Sequence, residues 1–82
     1  MNEKRRRVLR LWRIALEECS EKQREEINSA VNEAVIRMLK KAGYSVIDPY
    51  QAAMIVMEEG IDITDIVADI IEKKLQEFGI AF

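Results

Sequence analysis

Residues 48–60 read DPYQAAMIVMEEG. Asp48 suits a helix N-cap, and Pro49 is preorganised for the first helical position, so the pair marks a helix start. Gly60 supplies the left-handed residue that commonly ends a helix. Between them Tyr50, Ala52, Ala53, Met54, Ile55, Val56 and Met57 leave almost no polar side. A short helix that is apolar all round is usually packed inside other helices. The stretch therefore predicts an all-α chain: a four-helix orthogonal or irregular bundle with residues 49–59 as a short buried central helix.

Working outward, the punctuation is sparse and falls between helical patterns. A first helix is expected from Asn2 or Glu3 to about Cys19. Ser20-Glu21-Lys22-Gln23 then has the form of a capping box, in which Ser20 bonds the Gln23 N–H and Gln23 reaches back. It opens a second helix over about 21–42, with Lys40 and Lys41 in the last turn, where the macrodipole favours cations, and Gly43 beyond it. Residues 44–47 lack helical period and are expected to be a short extended segment. Asp62 or Thr64 should cap a last helix running to about Phe78 and stopping at Gly79. The apolar tail Ile80-Ala81-Phe82 is expected to dock on the bundle. No linker or repeat divides residues 1–82, and a chain this short makes one domain.

The charges are sorted by half. Through Lys41 there are eleven Lys and Arg against seven Glu; from Ala42 onward there are two Lys against eight Asp and Glu. The net charge of -2 thus hides a dipole of +4 and -6. At about 100° per residue, Arg6, Arg10 and Arg13 stack at i, i+4, i+7 on one side of the first helix, opposite Val8, Leu9, Leu11, Trp12, Ala15, Leu16 and Cys19. In the last helix Asp65, Asp69 and Glu72 repeat the same spacing, while Ile63, Ile66, Val67, Ile70, Ile71, Leu75 and Phe78 cover more of the circumference than one neighbour needs. Ile36 falls on the polar side of the second helix, exposed unless another chain covers it.

The matched triplets are candidate partner-binding residues, with Trp12 beside the basic one. Exposed ion pairs contribute little to stability, so two solvated faces would explain the pattern equally well. Pairing between the first helix of one subunit and the last helix of another would use the match to set register and partner choice. A third reading leaves the basic helix for nucleic acid or an acidic protein. Six cations in the first thirteen residues could bind phosphates, although the region lacks aromatic residues for base stacking apart from Trp12, which lies among aliphatics and reads as core.

Catalysis finds little support. There is no histidine, and hence no ordinary general base at neutral pH. The lone Cys19 sits on an apolar face and reads as core packing in a reducing compartment. No metal, cofactor or small-molecule substrate is expected, because the ligand spacings and phosphate loops that hold them are missing. The basic start is not followed by an unbroken apolar run, and no stretch is long enough to span a bilayer. A cytoplasmic protein not associated with membranes is expected.

Two DNA-binding outlines can be drawn. Residues 51–75 sketch a helix-turn-helix about Gly60, though its second helix would present Asp65, Asp69 and Glu72 to phosphates that repel them. Tyr44–Asp48, Pro49 and the turn Gly60–Asp65 faintly resemble the ribbon-helix-helix repressor family over about half the chain. That resemblance implies a paired ribbon entering the major groove, but Tyr44-Ser45-Val46-Ile47 lacks base-reading side chains. The expectation is instead a small non-catalytic interaction or regulatory module of the kind phages and mobile elements often encode. It would act as a homodimer through charged helical faces and on another protein. Nucleic-acid-binding regulation is the alternative. Forty-nine per cent apolar residues in 82 supports self-association, since so small a domain hides only about 60–65% of its unfolded surface.

Overall fold

The computed structural model describes residues 2–82 and contains four helices: α1 (Glu3–Glu18), α2 (Glu21–Lys41), α3 (Pro49–Glu59) and α4 (Thr64–Glu77). Each boundary has a local cause. Asn2 caps α1, its Oδ1 accepting from the Arg5 N–H at 2.9 Å. The capping box of α2 is complete: the Gln23 N–H donates to Ser20 Oγ at 3.1 Å, and the Ser20 N–H donates to Gln23 Oε1 at 2.9 Å. Asp48 Oδ1 accepts from the Gln51 N–H at 2.8 Å, and Gln51 Oε1 in return accepts from the Ile47 N–H at 2.9 Å.

The helix ends follow one design. Past α2, Gly43 at φ 96° lets the Tyr44 N–H reach the Leu39 carbonyl at 3.0 Å, while the Gly43 N–H bonds Lys40. Past α4, the Ile80 N–H reaches the Leu75 carbonyl at 2.9 Å and the Gly79 N–H bonds Gln76. In both, the residue after the glycine is apolar and packs on the core, the usual companion of this cap. At the start of α4, Thr64 is the first helical residue and not the cap; Asp62 Oδ1 accepts from the Thr64 N–H at 2.9 Å two positions earlier.

α4 packs against both α1 and α2, and this explains its wide apolar arc: two neighbours of the same chain share it. Leu11, Ala15, Cys19, Ile27, Ala68, Ile71 and Leu75 form the larger core between these three helices. A smaller one, Val35, Leu39, Val46 and Ala52, lies under the other half of α2. Val31 touches both, so α2 is the spine that joins them.

α3 corrects the sequence reading. It is not a buried central helix: its interface is with α2, and Ala52 is its single buried residue. Tyr50 and Met57 are 74% and 78% exposed. An apolar pattern shows only that a helix has no preferred wet side; whether neighbours surround it depends on topology, and here the central place is taken by α4. Two further readings change with it. Ile36 is half-buried and packs on the smaller core, so it needs no second chain. The α3–turn–α4 segment lacks the packed pair of a helix-turn-helix unit, because α3 lies on α2 while α4 lies on α1 and α2. Residues 44–47 are irregular; Val46 is buried and Ile47 is exposed.

Candidate functional site

The acidic face of α4 is already partnered within the chain. Arg7 Nη2 donates to Asp69 Oδ1 at 3.0 Å and to Glu72 Oε2 at 2.8 Å. Lys4 Nζ lies 3.2 Å from Asp65 Oδ2 and 3.8 Å from Asp62 Oδ2. One turn of α1 thus supplies both cations for a seam along α4. The hydrogen bond from Lys4 to Asp65 raises the lysine's pKa, and that from the Thr64 hydroxyl holds the Asp62 carboxyl below its ordinary range.

The matched triplets therefore resolve differently from their spacing. Asp65, Asp69 and Glu72 come together with α1, but with Lys4 and Arg7 and not with Arg6, Arg10 and Arg13. The geometry has a simple cause. Lys4 and Arg7 flank Leu11 on the helical wheel, so their stems run over the apolar contact with α4 and their heads reach its carboxylates. Two cations at i, i+3 on the edge of an apolar face were the readable signal.

Arg5, Arg6, Arg10 and Arg13 are left on the outer face of α1, exposed and, among the described residues, without an ion pair. Glu3 and Glu17 mark the ends of this face. Arg5 and Arg6 lie by the helix N-terminus, where the macrodipole is positive and acids are the stabilising choice. Two aliphatics that the helical spacing groups with the apolar side lie on the ridge instead: Leu9 and Leu16, seven residues apart, are each 54% exposed, because α4 covers only the Leu11–Ala15 side of α1. Trp12, half-buried against the larger core, anchors the helix beneath them.

Two shallow grooves flank the ridge. One, of about 410 Å³, is lined by Glu3, Lys4, Arg6, Arg7, Arg10 and Asp65 and is predominantly cationic. The other, of about 320 Å³, is mostly apolar and is lined by Arg5, Val8, Leu9 and Thr64. The surface thus offers positive charge on one side and a greasy step on the other.

Cys19 is buried, and desolvation pushes its thiol up, away from the reactive thiolate. Its carbonyl accepts from Arg24 Nη1 at 2.7 Å, a cation from α2 serving the C-terminal end of α1, whose own last turn has no basic residue. Among the described residues, no helix is long and apolar enough to cross a membrane. No family model matches this chain, and no curated protein or solved structure does so either.

Proposed function

We propose that the protein is a non-catalytic binding module whose working surface is the outer face of α1, and that it takes an acidic, amphipathic protein segment there. The observation that supports this reading is the uncompensated positive charge at the start of α1. Arg5 and Arg6 sit where the helix dipole already repels cations, with Arg10 one turn on, while the nearby carboxylates of α4 are engaged by Lys4 and Arg7. Glu3 is the one acid in that first turn, against three cations, Lys4, Arg5 and Arg6. An incoming carboxylate relieves the repulsion, and the cationic groove gives it a place.

Leu9 and Leu16 favour a protein over a nucleic acid. Phosphates and sugars gain nothing from two exposed aliphatics between the arginines, whereas an amphipathic helix sets its own leucine-type residues against them. Charge would steer the encounter, and the aliphatic contacts would hold it.

The test compares three labelled probes by fluorescence anisotropy: a Glu-rich amphipathic peptide helix, a DNA duplex and a single-stranded RNA. The expected result is peptide binding that weakens about tenfold or more in both Arg6→Glu/Arg10→Glu/Arg13→Glu and Leu9→Ser/Leu16→Ser. Nucleic-acid binding that ignores the leucine pair, falls steeply between low and physiological salt and exceeds peptide binding would overturn the reading in favour of a phosphate-reading regulator.

A further inference from the structure

We infer that the exposed face of α3 is a homodimer interface, on which a second copy of this chain packs in antiparallel fashion. The inference is independent of what α1 binds. Four of the seven large apolar side chains left exposed among the described residues fall in one short region: Ile47, Tyr50, Met54 and Met57. Tyr50, Met54 and Met57 recur at i, i+4, i+7 and therefore form one stripe along α3. Beside it runs a groove of about 190 Å³ whose lining includes Val31, Val35, Ala53, Val56 and Ile63.

The surface area is that of an open chain. The chain exposes 5805 Å². A folded monomer of 9.5 kDa exposes about 5050 Å² by the usual scaling with mass. The excess, about 750 Å², is close to the roughly 800 Å² that each partner loses in a standard-size interface. The shape agrees. Extents of 37 × 29 × 17 Å describe a slab, and the 13.2 Å radius of gyration exceeds the roughly 12 Å of a compact domain of this length.

Charge selects the occupant and its direction. The outer face of α1 also exposes two leucines, but two copies meeting there would set unpaired guanidinium groups against each other. α3 has no Lys or Arg, and its only acids are Glu58 and Glu59 at its last two positions. An antiparallel arrangement about a two-fold axis keeps the two Glu58–Glu59 pairs at opposite ends of the contact, roughly 16 Å apart along an eleven-residue helix. A parallel one would stack them. Tyr and Met are also among the residues enriched at interface centres.

Sedimentation equilibrium of the full chain between 1 and 200 μM tests this. The expected result is a dimer whose dissociation constant rises about 30-fold or more in Met57→Glu and in Tyr50→Glu, with helical circular dichroism retained. Both side chains are largely exposed in the single chain, so loss of folding is not expected; Met57→Ala and Tyr50→Ala, which introduce no charge, should weaken the dimer in the same direction. Arg6→Glu/Arg10→Glu/Arg13→Glu should leave the mass unchanged, which separates this inference from the α1 reading. In mild oxidant, Met54→Cys should cross-link to its own copy faster than Leu9→Cys. A monomer throughout the concentration range would overturn the inference, as would a dimer unaffected by all four α3 variants or one cross-linked preferentially at position 9.

Discussion

The α1–α4 seam and the α3 shelf are built from similarly apolar helices, yet one is closed and the other open. Along the seam each apolar row meets a partner, and the charges at its border reach across: Lys4 and Arg7 to the carboxylates of α4. On the shelf α3 has a floor, α2, and no roof; Tyr50 and Met57 face outward. What separates them is the number of helical neighbours, two for α4 and one for α3. Composition alone would have ranked them the other way.

The largest expected effect tests that contrast in its simplest form. Leu75, fully buried in the seam core, should cost about 2–5 kcal/mol when truncated to Ala, because transfer energy and cavity both count. Met57→Ala should change monomer stability by no more than about 0.5 kcal/mol, as surface substitutions usually do. Urea unfolding at a concentration below dimerisation measures both. Equal losses would mean that the shelf is as enclosed as the seam.

Gly43 joins α2 to the shelf, and nothing lies within 4 Å of where its Cβ would be. Gly43→Ala should therefore express backbone strain alone, about 1–2 kcal/mol for a left-handed alanine. Asp48→Ala should cost about 1 kcal/mol by removing the cap on α3. Amide exchange sharpens this prediction: α3 should lose protection before α4 does, since one interface holds it and two hold α4.

The smallest effect belongs to the seam. Asp62, whose carboxyl is held below its ordinary pKa, contributes stability that is complete above the unfolded value and is lost as pH falls through the folded one. Asp62→Asn should therefore lower stability slightly at neutral pH, change nothing below the folded pKa, and so flatten part of the acid limb of the stability curve. An acid titration followed by circular dichroism would show it.

Much of this architecture was legible because it is local. Ser20 and Gln23, Asp48 and Pro49, and Gly43 and Gly79 act within a few residues of themselves, so their spacing carries the geometry. The candidate surface was legible in part. Arg6, Arg10 and Arg13 were identifiable as an outward stripe, and outward they are. Within the chain Asp65, Asp69 and Glu72 meet Lys4 and Arg7 instead, a pairing that was not legible because equal spacing on two helices does not say which side of each faces the other. That depends on where Leu11 meets Ile71 and Leu75, a contact between distant parts of the chain. The misplacement of α3 has the same origin: Tyr50 and Met57 differ from Ile55 and Val56 only in whether α2 lies beneath them.

The placement of the aromatic side chains has a practical consequence. The chain's one tryptophan lies under the basic ridge, while both tyrosines, Tyr44 and Tyr50, belong to the opposite end of the spine. The two surfaces thus carry different natural chromophores. Emission excited selectively at the indole will report events at the ridge, and near-ultraviolet dichroism of the phenols will report events at the shelf, so occupancy of each can be followed in one cuvette without an added label.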